Sequence, residues 1–383
     1  MIPSGKFTRA GRLAVLVLLL MGLSGPGQAA VEPSNLTLAA LDIGSGTTRL
    51  LVAELDVCGG HALRVVERKS ARVPYAADLL NGETGSFSAD IQARADQTMA
   101  GLIAQARDLG SQRVLAVATQ AFRTAANGED LLQGWRERHG LEVSILTQEE
   151  EARLAYQLVV SRLGAATEHL LVWDIGAASQ QLVWRDPVTQ EWVHVNSDLA
   201  SVTFRNHSLD TLGRPVGWVS PNPISQVEAD LLAAEVMAWL GPGRVDRVNS
   251  VTRQGFHVVG IGGVHGASLV NQMGLQPGEW VTRSALARTL AGQLGRSDEA
   301  IGGEYADTDV TNLILVNALM AHYGIDRYQV KGSDLTEAVL LALDEDCQLF
   351  LGPRSSVPAE ANGRYHDVVD QPGFSDAPCL KSH

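Results

Sequence analysis

The chain has 383 residues, 45% of them hydrophobic and 19% charged, with 38 glycines and a formal net charge of -13. That length exceeds one ordinary small domain and implies two, each able to bury a core. The acid excess repels nucleic acid and anionic membrane surfaces, so neither is an expected partner, and an anionic substrate has to be met locally by a metal ion or by backbone amides.

The first thirty residues stand apart. Lys6, Arg9 and Arg12 precede the apolar run LAVLVLLLMGL, and small residues follow in SGPGQAA. This pattern predicts a secretory signal peptide over residues 1–30, cut near Ala29 or Ala30; the run is shorter than the roughly 20 apolar residues a spanning helix needs. No cysteine stands at the cut to mark a lipoprotein. Cleavage removes three positive charges and no acids, taking the charge from -13 to -16. The expected location is periplasmic or secreted, with no membrane attachment after cleavage. Cys58, Cys347 and Cys379 then allow at most one internal disulfide, and their spacing gives no zinc pattern.

After the signal, LTLAALDIGSGTTRLLVAEL reads as strand, glycine turn and strand, with a third strand in GGHALRVVERKSARV after the CGG turn. A helix follows from the N-cap Ser88, with Ile91, Met99, Leu102 and Ile103 at helical spacing and a stop at Gly110. RVLAVAT is a buried strand, EDLLQGWRERHG a helix, LEVSIL a strand, and TQEEEARLAYQLVVSRL a helix capped by Thr147. The order βββαβαβα then begins again: WDIGAASQQLVW repeats the strand, Asp-Ile-Gly, turn and strand of LDIGSGTTRLLV, and EWVHVNSDL supplies another third strand. Helices in SQVEADLLAAEVMAWL and VTNLILVNALMAHYG flank a strand in HVVGIGG, and beyond Val357 the composition reads as a poorly ordered tail.

A strand ending in aspartate and running into a glycine turn can aim several N–H groups at one anion, because glycine tolerates φ > 0 and close approach. The adjacent acid is placed to hold hydrated magnesium. A plainer alternative is that Gly44, Gly46 and Gly176 only make tight hairpins.

The ordered series LDIGSGTTRL, VATQAFRTAANG, ILTQEEEARLAY, LLVWDIGAASQQL and VVGIGGVHGAS resembles the exopolyphosphatase and guanosine pentaphosphate phosphohydrolase (Ppx/GppA) family, from about Leu38 to Leu343. The resemblance implies an α/β, two-lobed actin-like ATPase (ribonuclease H-like) fold with an interdomain cleft. It divides the chain into a first lobe over 31–158, a second over 159–346 and a tail over 347–383, and it is compatible with a homodimer. It implies that Asp42 and Asp174 bind Mg2+ or another divalent cation. Gly44, Ser45, Gly46 and Thr47 form the first phosphate loop; Gly176, Ala177, Ala178 and Ser179 form the second, with Gly262 and Gly263 beside it. Arg123 matches a phosphate-contacting arginine. Glu151 matches the general base that takes a proton from water, whereas Glu149 and Glu150 complement the helix dipole.

Five departures mark this chain. Ala177 and Ala178 stand where the family pattern has glycines, Gln180 replaces threonine and Gln181 replaces glutamate, while Val264 replaces a hydroxyl residue. Alanine in left-handed geometry costs roughly 1 to 2 kcal/mol, so positions needing φ > 0 would be strained. The expected function is an exported phosphohydrolase acting on a small anionic phosphate compound, short inorganic polyphosphate being preferred because guanosine pentaphosphate is intracellular. The rival is a periplasmic binding or sensory protein that holds such a ligand without turning it over.

Overall fold

The computed structural model describes residues 35–56, 63–82, 84–163, 169–331 and 335–344. The expected signal peptide, the expected tail and all three cysteines lie outside them. The first half runs β1 (Asn35–Ile43), β2 (Thr47–Asp56), β3 (Leu63–Arg72), α1 (Tyr75–Asn81), α2 (Ala89–Asp108), β4 (Val114–Ala118), α3 (Gln120–Thr124), α4 (Gly128–His139), β5 (Glu142–Ile145) and α5 (Gln148–Leu163). The second runs β6 (Leu170–Ile175), β7 (Gln180–Arg185), β8 (Trp192–Ser197), α6 (Ser201–Thr211), α7 (Gln226–Leu240), α8 (Pro242–Thr252) and β9 (His257–Ile261). A π-helical turn (Val264–Leu269), α9 (Val270–Met273), β10 (Trp280–Thr282), α10 (Arg283–Gln293), α11 (Asp298–Ile301), α12 (Ala306–His322), β11 (Arg327–Val330) and α13 (Leu335–Asp344) complete it.

The duplication seen in one motif extends to the topology. One sheet has the order β3-β2-β1-β4-β5; the other reads β8-β7-β6-β9-β11, with β10 added beyond β11. In each, the first three strands are antiparallel and the next two join in parallel. β1 and β6 are central, so both faces are apolar, and the only charged side chains in their described parts, Asp42 and Asp174, come near the carboxyl ends.

Helix α5 is packed between the two sheets. Leu154 and Leu158 join Leu38, Ala40 and Leu51 of the first sheet, while Ala152, Ala155, Tyr156 and Val159 join Leu170, Val172 and Val259 of the second. Each fully buried leucine contributes about 1.5 to 3 kcal/mol. Period-2 alternation places Asp42 with Leu38 and Ala40, and Asp174 with Leu170 and Val172, so both acids face the α5 side. The opposite faces carry separate cores, one with Phe122 and Trp135, the other with Trp173 and Trp184.

Two expected boundaries shift on this packing. The line between 158 and 159 falls inside α5, and Leu335, Ala338, Val339 and Leu340 of α13 cluster with Leu38 and Leu51. The last helix therefore packs with the first lobe, although the span 159–346 assigned it to the second.

Candidate active site

The two hairpins are built alike. Gly44 N–H donates to Thr47 O at 3.1 Å, and Gly176 N–H to Ser179 O at 2.9 Å. Their carbonyls are engaged from behind: Ser45 O accepts from Ala76 N and Gly46 O from Val73 N, while Gly176 O and Ala177 O accept from Ser201 N and Val202 N at the start of α6. The N–H groups of Ser45, Gly46, Ala177 and Ala178 donate to nothing among the described residues, which leaves them for an anion.

The hairpin tips meet. A Cβ added at Gly46 would lie 3.1 Å from the Ala177 methyl. Neither alanine has a positive φ, and neither do Gly44, Gly46 and Gly176. The expected left-handed geometry and its strain are therefore absent: these turns close within ordinary backbone space. Glycine is required by φ at Gly262, at +82°, where a Cβ would also come within 2.0 Å of Asp174 Oδ1. Gly263 lies against Arg49, its hypothetical Cβ 3.1 Å from Nη2. Val264 is buried at the start of the π-helical turn.

Asp42, Asp174 and Glu151 are all buried. Burial foremost, then the charges of Glu151 and Asp42, push the Asp174 carboxyl up to about 7 against the pull of Arg49. Burial also pushes Glu151 up, opposed by the charge and hydrogen bond of Arg123. A raised carboxylate is a stronger base, the property proton abstraction needs. The three glutamates have separate roles: Glu150 forms a capping box with Thr147, Glu149 accepts from Asn196 Nδ2 at 3.4 Å, and Glu151 turns inward.

Arg123, expected on phosphate, is turned to the protein. Its Nη1 donates to Glu151 Oε2 at 2.8 Å and to Leu146 O at 2.6 Å, and Nε and Nη2 donate to Gln120 Oε1. It fixes the base. The guanidinium beside the hairpins is Arg49, which was not singled out from the sequence. In register it stands opposite Asp42, and its Nη1 donates to Asp42 Oδ2 at 3.2 Å. The signal was available: antiparallel pairing across the GSG turn puts position 49 opposite 42, as it puts Gln181 opposite Asp174. Gln181 is buried and donates to Ser179 Oγ at 3.1 Å; Gln180 accepts from Trp173 Nε1 at 3.2 Å.

This donor set suits a hard divalent cation, because the mutual repulsion of the carboxylates is what such an ion relieves. Among the described residues no group of three His, Cys, Asp or Glu side chains could hold a metal. An ion here would take its remaining ligands from water and phosphate oxygens.

Paired hairpins, with a buried glutamate on a helix between two like sheets, define a duplicated two-lobed α/β protein of the actin-like ATPase fold. The model of the Ppx/GppA phosphatase family matches residues 55–198, a span that holds Arg123, Glu151, Asp174 and the second hairpin but begins past the first. Among solved structures, an exopolyphosphatase from Cytophaga hutchinsonii superposes with a TM-score of 0.65 at 14% identity, covering 81% of this chain and 98% of that one. The Ppx/GppA family member of Aquifex aeolicus gives 0.61 at 19% identity, again over 81% and 98%. At such identities the likeness is one of fold.

Proposed function

We propose that this chain is an exported phosphohydrolase of the Ppx/GppA type that releases terminal orthophosphate from short inorganic polyphosphate or a related phosphoanhydride. The observation that carries the reading is Glu151: a buried carboxylate with raised proton affinity, held by Arg123 and neighbouring Asp174 beside two turns with free amides. The N–H groups of both turns and the Arg49 guanidinium bind the terminal phosphoryl oxygens. Glu151 accepts a proton from water as its oxygen attacks phosphorus in line; the bridging P–O bond breaks and the shortened chain leaves with the electron pair. Asp42 and Asp174 would hold Mg2+, which supplies neutralisation of phosphate charge when bound. Export rests on Lys6, Arg9, Arg12 and the apolar run after them.

A second reading has its own observation. Gln181 stands opposite Asp174 in register, where the family pattern has a glutamate, so the cleft has one negative charge fewer for a metal ion, which favours a protein that holds a phosphorylated ligand without hydrolysing it. Residues 31–383 incubated with short polyphosphate and magnesium, with released orthophosphate measured, separate the two. The hydrolase reading expects release by the native chain and a loss of about 10²- to 10⁴-fold in Glu151→Gln. Retained binding with no release from polyphosphate or guanosine pentaphosphate would establish the second reading instead.

A further inference from the structure

The first hairpin touches the second lobe through a cluster that the catalytic reading leaves unused. Thr47 and Arg72 are directly opposite one another on β2 and β3, and the segment leading into α12 docks on that pair. Tyr305 OH lies 3.3 Å from Thr47 Oγ1, and the Arg72 guanidinium sits 5.0 Å over the Tyr305 ring, a cation–π geometry. Arg72 also donates to the Glu304 carbonyl and pairs with Asp307 at 3.2 Å. Asp307 is shared: Arg205 of α6, nearly all buried, pairs with the same carboxylate at 2.7 Å and donates to Val219 O.

One carboxylate thus joins an arginine from each lobe, and the tyrosine two residues earlier reaches the phosphate loop. Arg205 and Asp307 both belong to the second lobe, so their pair holds the carboxylate in place for Arg72 across the cleft. The backbone adds to the link: Gly46 O accepts from Val73 N, and Arg72 O accepts from Arg94 Nη2. The same β3 end that receives Tyr305 therefore holds the turn whose Gly46 lies against the Ala177 methyl.

We propose that Tyr305, Arg72 and Asp307 form an inter-lobe latch in which Tyr305 is the positioning residue of the first phosphate loop, coupling closure of the cleft to anion binding. With the latch made, the Gly46 and Ala177 turns stand together and their amides converge. With it broken, the lobes separate and the two half-sites no longer act on one anion. An anion bridging both hairpins favours the latched state, and by reciprocity a weakened latch lowers the affinity for that anion. The anion's identity rests on the proposed function; the latch itself does not.

Hydrogen exchange at the bonded amides of this turn, Gly44 N–H on Thr47 O and Val73 N–H on Gly46 O, with and without pyrophosphate, reads the latch in the absence of turnover. In Arg72→Ala these amides should exchange faster than in the native chain, with Arg72→Lys restoring part of the protection, and Tyr305→Phe should show a smaller rise because only the hydroxyl contact is lost. Pyrophosphate affinity should fall roughly ten-fold in Arg72→Ala, about one charge-assisted contact's worth. In assays KM should rise by a similar factor while kcat stays within about two-fold, a split that general misfolding would not give. Unchanged exchange at Gly44 and Val73 in both Arg72→Ala and Tyr305→Phe would overturn the latch even if the native chain hydrolyses polyphosphate. Altered exchange in a chain that hydrolyses nothing would uphold the latch while the hydrolase reading fails.

Discussion

The two hairpins share turn spacing, pairing register and carbonyls engaged from behind, yet the residue opposite the aspartate differs. Asp42 faces Arg49 and makes an ion pair; Asp174 faces the neutral Gln181 and is surrounded by carboxylate charge. One duplicated scaffold therefore presents one compensated acid and one frustrated acid to the same cleft. Duplication fixes where the carboxylates stand, while burial foremost, then the charges of Glu151 and Asp42, raise the Asp174 carboxyl with no cation opposite it.

The back of the second hairpin gives the largest expected contrast. His265 is fully buried, 4.6 Å from the Trp173 ring centroid, and its Nδ1 lies 2.8 Å from Tyr328 OH. Burial depresses its pKa from 6.5 to about 3. Since the folded value is lowered, the unfolded chain binds the extra proton first as pH falls below 6.5, and stability is lost progressively down to about 3, by on the order of 5 kcal/mol in full. Acid should thus loosen the second sheet before the first. Hydrogen exchange at pH 4.5 should show β6 and β9 amides losing protection ahead of β1 and β4, and His265→Phe should flatten the dependence. Equal loss in both sheets would remove the contrast.

Asp174 works with the opposite sign. Its folded pKa is raised from 3.8 to about 7, so in metal-free protein stability declines as pH rises across that window, by on the order of 4 kcal/mol. Asp174→Asn should raise the melting temperature at pH 8 in EDTA, with little change at pH 4, and should lose any stabilisation by magnesium. A melting temperature that fell at pH 8 would mean the carboxylate is already compensated.

How much of this was open to the sequence depends on the distance over which each feature is decided. The strands, the α2 helix with its Ser88 cap and the repeat of the Asp-Ile-Gly turn follow from local alternation and capping, and all are present. Glu151 was picked out among three glutamates by motif, and its burial gives that choice a physical meaning. Helix α6 was not foreseen, because SVTFRNHSLDT is polar with little amphipathic pattern and starts at an Ala200 that cannot cap; its N–H groups matter only once the second turn has packed beside them. Arg123 was assigned to phosphate by the resemblance of its segment to the family pattern, and only the tertiary approach of α5 turns it to Glu151. The return of α13 to the first sheet is likewise a long-range decision with no local signal.

Making the first hairpin like the second tests the comparison directly. Arg49→Gln removes this guanidinium, so Asp42 loses its ion pair with Arg49 and Asp174 loses the pull that opposes its rise. Arg49 is about a quarter exposed, so solvent screens part of the loss, and about 2 kcal/mol is expected. Thermal unfolding at pH 7 should register that loss, and magnesium should recover more of it than in the native chain, since a cation then meets both acids without the Arg49 charge. Recovery no greater than native would show that Arg49 is not the charge balancing this cleft.

The smallest effect belongs to the turn itself. Ala177→Gly removes the methyl that stands 3.1 Å from where Gly46 would carry a Cβ, and position 177 has no positive φ that glycine would relieve. The substitution should therefore cost stability through the unfolded chain alone, about 0.5 to 1 kcal/mol. Room gained between the hairpin tips should lower KM for pyrophosphate several-fold without a matching rise in kcat, because Glu151 and Arg123 are untouched. A rise in kcat would place the methyl against the attacking water rather than against the bound phosphate. An unchanged KM would mean that the two turns receive their anion without passing through the gap Ala177 narrows, and the hairpins would then be matched in shape but not in use.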